Sequence, residues 1–290
     1  MTQLSRFSLT QRMEPLDRVG KEFFHWGLTE NPFPITGTSL RFFMQKGQYL
    51  QAINAVSVVL RERQGLAAVY GEVGAGKSTT AKFLYDRIAI TEGYKVAYVG
   101  NPSGTPSQVF STIVREFGLD PVSNQVSRMQ DQLQAFILEE TQLKLNNIVL
   151  LIDEAQSLRK EALEYLRHLG NFERGEEKLL QVVLFGQTEL IDIIKRRGNL
   201  WQRVITHSYL NKLGASEVMD LVNFRLQVVG GNVNVIFDEG ALDAFVRYSD
   251  GIPRNICKIG FHALVLGAQK DESKISEHTI IQAVKLAGLD

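Results

Sequence analysis

Apolar residues in this chain gather in short unbroken runs separated by longer stretches of helical spacing. Leu66-Ala67-Ala68-Val69-Tyr70, Lys95-Val96-Ala97-Tyr98-Val99, Asn147-Ile148-Val149-Leu150-Leu151-Ile152 and Leu179-Leu180-Gln181-Val182-Val183-Leu184-Phe185 read as strands. The third is apolar almost throughout, which predicts a central strand buried on both faces. Thr206 to Leu210 reads as a fifth strand. In Gln45–Arg63 the residues Leu50, Ile53, Val56 and Leu60 recur at three and four, giving one apolar face of a helix. A second helix runs from Lys77 to about Ile90. A third carries Val109, Ile113, Val114 and Phe117 and is capped by Ser107. A longer one covers about 125–144. From Ser216 the pattern is helical to the end, over 216–229, 238–249, 253–269 and 276–287, with Ser216, Asp238 and Ser276 as caps. Residues 1–25 lack clean periodicity and read as an arm or interaction segment. In Trp26-Gly27-Leu28-Thr29-Glu30-Asn31-Pro32-Phe33-Pro34, two prolines hold their predecessors extended. This strap either packs its aromatics on the core or borders a nucleotide base.

Composition narrows the class. The 290 residues are 44% hydrophobic and 22% charged, ordinary for a soluble globular chain long enough for two domains. Lys plus Arg equals Asp plus Glu at 32 each, so a strongly basic nucleic-acid footprint is absent, although a local patch is compatible with the balance. The one cysteine, Cys257, excludes an internal disulfide framework and a thiolate metal cluster, and fits a reducing cytosol. No run reaches the ~18–20 apolar residues of a membrane span. Met1 to Arg12 lacks the apolar core of a signal peptide. The chain is therefore expected to be cytoplasmic, neither exported nor anchored.

The chemistry sits at strand ends. Gly71-Glu72-Val73-Gly74-Ala75-Gly76-Lys77-Ser78 reads G-x-x-x-x-G-K-S, a phosphate-binding loop between strand and helix. Its glycines let successive N–H groups turn inward around an anion, and the following helix, with Thr79, adds its positive end. Lys77 can reach the β- and γ-phosphates of ATP, and Ser78 can place its hydroxyl on Mg²⁺. The apolar run to Ile152 ends in Asp153-Glu154-Ala155-Gln156. Asp153 can hold Mg²⁺, and Glu154 can act as general base toward water. Gln187 or Thr188, at the tip of the next strand, can sense the γ-phosphate. Lys195-Arg196-Arg197 and Arg203 are basic. Either a solvated face or an arginine finger for a neighbouring subunit accounts for them, with Arg203 and Arg196 as the finger candidates. Arg254 stands near a helix start, where a cation is disfavoured by the helix dipole and a phosphate partner would explain it.

These segments resemble the AAA+ ATPases, and more closely the ExeA-type ATPases of bacteria. The matching stretches are Gly27-Leu28-Thr29-Glu30-Asn31-Pro32-Phe33, the phosphate loop, Ile152-Asp153-Glu154-Ala155-Gln156, Gly186-Gln187-Thr188-Glu189-Leu190 and Gly251-Ile252-Pro253-Arg254. The resemblance implies an α/β P-loop NTPase with a parallel sheet flanked by helices, followed by a small α-helical lid domain. The expected division is an arm and strap over 1–44, a nucleotide-binding domain over 45–213 and a lid over 214–290. Arg254 becomes the lid's sensor 2. ATP-dependent assembly into rings or filaments is implied, each site completed by a neighbour's arginine. The family's usual Gln-Pro-Glu-Leu is Gln187-Thr188-Glu189-Leu190 here, which leaves sensor 1 open. The membrane segment and peptidoglycan-binding domain of ExeA are not matched. Stand-alone ATPases of this type resemble the transposition regulators of the TnsC, TniB and MuB group, which bind duplex DNA as ATP-bound oligomers and recruit a transposase or adaptor. Ser103, Thr105 and Ser107 could then donate to DNA phosphates, with Lys82, Lys95 or the Lys195 cluster adding charge. The alternative is an ATPase assisting secretion or pilus assembly at the membrane. A third reading, a scaffold that binds ATP but hardly turns it over, is opposed by Glu154.

Overall fold

A computed structural model describes residues 21–35 and 39–289. Most of the expected N-terminal arm, residues 1–20, lies outside the described residues. The chain forms two compact units, Gln45–Asn211, and the residues from Lys212 onward joined by the N-terminal segment up to Met44.

Gln45–Asn211 is built on a five-stranded sheet. Its strands are β1 (Leu66–Gly71), β2 (Tyr94–Val99), β3 (Asn147–Ile152), β6 (Leu180–Gly186) and β7 (Val204–Leu210), in the order β2-β3-β6-β1-β7. Every neighbouring pair is parallel. A small antiparallel hairpin, β4 (Glu173–Arg174) and β5 (Glu177–Lys178), stands apart from it. β3 and β6 are buried along their whole length, as their unbroken apolar runs require. β7 alternates exposed and half-buried positions before Leu210, as an edge strand does. One face of the sheet packs Val109, Phe110, Ile113, Met129, Leu133 and Ile137 from two helices, Pro106–Glu116 and Val126–Gln142.

Three local expectations need correction. The helix Gly47–Arg61 buries Tyr49, Ala52, Val56, Val59 and Leu60, whereas Leu50 is 41% exposed. The apolar spacing is real, but the buried stripe is rotated, and Leu50 and Ile53 border a surface concavity with Phe83 instead. Ser107 does not cap its helix. Thr105 does, accepting from the Gln108 N–H while the Gln108 side chain accepts from the Thr105 N–H, with Pro106 at the first helical position. The Ser107 hydroxyl donates to the Asn124 carbonyl at 2.6 Å. Ser216 likewise lies inside its helix, whose start at Gly214 is closed by Glu217. Asp238 and Ser276 do cap their helices.

In the other unit the helices Ala215–Val228, Glu239–Ser249, Pro253–Gln269 and Glu277–Leu286 pack together around Phe237, Phe245, Ile256 and Ile280. Residues 21–25, expected to be aperiodic, form a short helix that buries Phe23 beside Phe261. The strap follows the packing alternative within this unit. Phe33 is fully buried near Phe245, and the Trp26 indole donates to the Leu264 carbonyl at 2.9 Å. A Cβ at Gly260 would stand 2.5 Å from the Phe33 ring, so glycine is what lets strap and helix close. Gly260→Ala is expected to cost about 1–3 kcal/mol through overpacking, read as a lower thermal unfolding midpoint.

Candidate active site

The carboxyl ends of β1, β3 and β6 bring the predicted loops together, because the strands are parallel and adjacent. At the end of β1 the backbone turns through Gly74 (φ 82°) and Gly76 (φ 97°), conformations that glycine adopts without a Cβ penalty. Gly71 is needed for a different reason. A Cβ there would meet the Leu210 carbonyl oxygen at 2.1 Å. Among the described residues no backbone carbonyl accepts from the N–H of Gly74, Gly76 or Ser78. These donors therefore remain for an anion at the start of the helix Lys77–Ala89. Tyr49 steadies the loop, its hydroxyl donating to the Ala75 carbonyl at 3.0 Å and its ring lying against Gly76.

Lys77 is 5% exposed and folds back on its own loop, donating to the carbonyls of Gly71 at 3.0 Å and Glu72 at 2.7 Å. The Ser78 side chain lies near the Asp153 carboxylate and lowers its pKa. Asp153 is 3% exposed, and burial pushes its carboxyl above the usual range, against the lowering effect of Ser78, the Glu154 N–H and Tyr98. The Tyr98 hydroxyl donates to Asp153 at 3.2 Å, and its own pKa is raised, first by burial and then by the carboxylates of Asp153 and Glu154.

The donor set fits Mg²⁺. A hydroxyl, on Ser78, and a buried carboxylate, on Asp153, stand near one another. Among the described residues no cluster of three His, Cys, Asp or Glu offers a richer metal cage. Mg²⁺ binds in this way, through one or two protein oxygens with waters and phosphates completing the octahedron.

Glu154 follows in a left-handed conformation, φ 49°, uncommon for a residue with a side chain. Its N–H donates to Asp153 at 2.9 Å, and its carboxylate accepts from the Gln156 amide at 2.5 Å and the Gln187 amide at 3.4 Å. Gln156 in turn accepts from the Gln187 N–H at 3.0 Å. A Cβ at Gly186 would meet this Gln156 oxygen at 2.7 Å, so the tip of β6 is glycine where the two segments touch. Of the two tip residues, Gln187 is brought to Glu154, while the Thr188 hydroxyl is 3.4 Å from Glu189. Sequence alone assigns no role to Gln156, Tyr49 or Tyr98. Gln156 could have been suspected as the amide two residues beyond the acid. The tyrosines carry no local signal.

The basic residues go elsewhere. Arg203 precedes β7, bonded to Asn171, and lines an apolar cavity of about 250 Å³ with Leu66, Leu163, Leu166 and Leu180. Arg196 caps the end of the helix Glu189–Lys195 and is exposed. The Lys195 ammonium lies over the Trp201 ring, 5.3 Å from its centroid. Arg254, in the helical unit, is exposed at the second position of its helix. The Thr105 and Ser107 hydroxyls are occupied by the capping and loop bonds described above, whereas at Ser103 it is the backbone N–H that donates to Asn101. Among the described residues no helix is long and apolar enough to cross a membrane.

Comparison with known proteins agrees with this geometry. Residues 60–194 match the AAA domain family. General secretion pathway protein A of Aeromonas hydrophila is 34% identical over 272 residues, covering 92% of this chain and 48% of that protein. The chain thus spans about half the length of this relative. Among solved structures, the Aeropyrum pernix ORC2 protein in its ADPNP-ADP complexes superposes with a TM-score of 0.64 at 20% identity, covering 84% of this chain and 68% of that one. Drosophila ORC bound to DNA gives a TM-score of 0.63 at 17% identity, over 98% and 69% of the respective chains. These two likenesses are of fold. The five-stranded parallel sheet and the phosphate loop agree with the match of residues 60–194 to the AAA domain family.

Proposed function

We propose that this ATPase is a switch that oligomerises with ATP on duplex DNA and regulates transposition by selecting a target and recruiting a transposase or adaptor. The single observation that carries the switch is the tether on Glu154. Its carboxylate is held by amides from two segments, and the Gln187 bond, at 3.4 Å, is long enough to be exchanged cheaply. A γ-phosphate that drew the Gln187 amide to itself would free Glu154 to take a proton from water. Gln187 is thus read as sensor 1. Gly71, Glu72, Val73, Gly74, Ala75, Gly76 and Thr79 shape the phosphate cradle, with Lys77 exchanging its carbonyl partners for phosphate oxygens. Ser78 and Asp153 would hold Mg²⁺, which supplies charge neutralisation at the phosphates. Arg254 is read as sensor 2, and the chain as cytoplasmic, divided into arm and strap, nucleotide domain and lid.

The DNA reading is supported by the exposed cations at Lys82, Lys95 and around Lys195, and by the fold likeness to an ORC bound to DNA. Thr105 and Ser107 are less suited to it, their hydroxyls being engaged in local bonds. A second reading, an ATPase assisting secretion or pilus assembly at a membrane, is favoured by the 34% identity to General secretion pathway protein A. Titration of labelled duplex DNA with ATP, ADP and no nucleotide, over a range of salt, separates them. Binding that needs ATP, tolerates sequence and weakens steeply with salt supports the first. No binding in any nucleotide state leaves the second.

Asp153 offers a test of the metal site. Its raised carboxyl pKa means that the fold favours the protonated form. Relative to the unfolded chain, that contribution is present at low pH and is lost as pH rises through the raised value. Metal-free Asp153→Asn should therefore melt higher than the wild type at pH 7.5, with the gap closing on acidification. Mg²⁺ with nucleotide should raise the wild-type midpoint and leave the variant nearly unmoved.

A further inference from the structure

We propose that Arg159, Lys160, Arg196 and Arg197 form one contact for the phosphate backbone of duplex nucleic acid. The proposal rests on the DNA reading above and names the surface that serves it. The two pairs are more than thirty residues apart in sequence, yet they line a single concavity of about 430 Å³ whose floor is Leu158 and Ile193. Arg159, Lys160 and Arg196 are exposed and Arg197 is half-buried. The two segments are joined where the Arg197 guanidinium donates to the Lys160 carbonyl at 3.4 Å.

What sets this cluster apart is its lack of acids. Several other basic side chains in this unit do carry a carboxylate partner, such as Arg61 with Glu62, Arg167 with Glu164 and Lys178 with Glu173. Among the described residues none of the four makes an ion pair. Glu164 feels the charge of Arg197 but is already bonded to Arg167 at 2.8 Å. Four like charges around one hollow repel one another, and in a chain of zero net charge nothing about overall composition requires it. Nearby polyanionic charge relieves the repulsion, and the release of counterions drives association. Arginine at three of the four positions suits phosphate oxygens, which the guanidinium fork meets in pairs.

The placement also ties the surface to the ATPase site. Arg159 and Lys160 end the segment that begins Asp153-Glu154-Ala155-Gln156, and Arg196 and Arg197 end the helix that begins just after Gln187. That helix packs on the turn Ala155–Ser157. A backbone bridging the two pairs acts on the far ends of the same segments whose near ends hold Glu154. Duplex DNA is therefore expected to change the ATPase rate through this surface.

The experiment is a fluorescence-anisotropy titration of a labelled duplex with the full chain and Mg-ATP across a series of salt concentrations. It compares the wild type with Arg159→Gln/Lys160→Gln/Arg196→Gln/Arg197→Gln and with the charge-preserving Arg159→Lys/Arg196→Lys/Arg197→Lys. The glutamine variant should lose roughly one unit of salt slope per cation, about four in all, together with any DNA effect on ATPase rate. The lysine variant should keep its slope. If the glutamine variant does not unfold cooperatively on heating, Arg159→Gln and Arg197→Gln singly should each lose about one unit. A wild type that binds DNA with ATP while the glutamine variants match its affinity and slope overturns this surface and leaves the DNA reading standing. A wild type that binds no duplex overturns both. Polyglutamate competing as strongly as unlabelled duplex of equal charge overturns the nucleic-acid assignment in favour of an acidic protein.

Discussion

Glu154→Gln should lower ATP turnover by about 10²- to 10⁴-fold, the range of a lost general base, while ATP affinity stays within a few-fold. Glutamine has the size of glutamate but cannot accept a proton from water at neutral pH. The side chain is placed by a backbone that stores strain, since a left-handed non-glycine residue costs on the order of 1–3 kcal/mol. The N–H bond to Asp153 and the amides of Gln156 and Gln187 hold it there. All three bonds can form with glutamine after a rotation of the amide, so the variant should fold and bind nucleotide. The measurement is steady-state phosphate release beside titration with a fluorescent ATP analogue. Turnover equal to the wild type would remove Glu154 from the base role. Lost nucleotide binding would show instead that the carboxylate supports the loop. If ATP drives assembly, the same variant should accumulate as an ATP-bound oligomer, visible by light scattering.

The parts of this molecule that sequence makes legible are those specified locally. β3 and β6 are apolar at nearly every position because both faces are covered, and their ends fall within a residue or two of the expected ones. The phosphate loop is readable because its glycines are demanded by backbone geometry and close approach, as at Gly71 and Gly76. The helix Lys160–Leu169 is legible too, since Ala162, Leu163, Leu166 and Leu169 have helical spacing. The buried stripe on Gly47–Arg61 departs from the apolar spacing because Tyr49 and Val59, not Leu50 and Ile53, face the interior, a choice made by the partners of the helix. Other features have no local signature. Gln156 and Gln187 meet across thirty-one residues, Tyr98 and Asp153 across fifty-five, and Arg159 joins Arg196 only because a helix folds back on a turn. Pairings of this kind depend on strand order, which periodicity does not encode.

Arg203→Ala should lower kcat by roughly 10³-fold or more, the usual size of an arginine-finger loss, with little change in ATP affinity. The sheet gives the reason for choosing Arg203 and for expecting it to act on a neighbour. Gly71, which opens the phosphate loop, pairs with Leu210 at one end of β7, and Val204, next to Arg203, pairs with Leu66 at the other. Six residues of strand at ~3.3 Å each put about 20 Å between Arg203 and the loop of its own chain. Within the chain Arg203 is held by Asn171, a neutral partner that a phosphate could replace. The decisive measurement is a mixture. Lys77→Ala lacks a working phosphate loop but keeps Arg203, and Arg203→Ala keeps the loop but lacks the arginine. Each alone should be nearly inactive. Mixed equally in a head-to-tail assembly, about one site in four would combine an intact loop with a neighbour's intact arginine, and activity should return toward that fraction. An inactive mixture, with both variants still assembling on ATP, would exclude Arg203 as a residue given in trans. Arg196→Ala run through the same mixing then tests the other arginine, whose place in the cation cluster predicts a loss of DNA binding rather than of turnover.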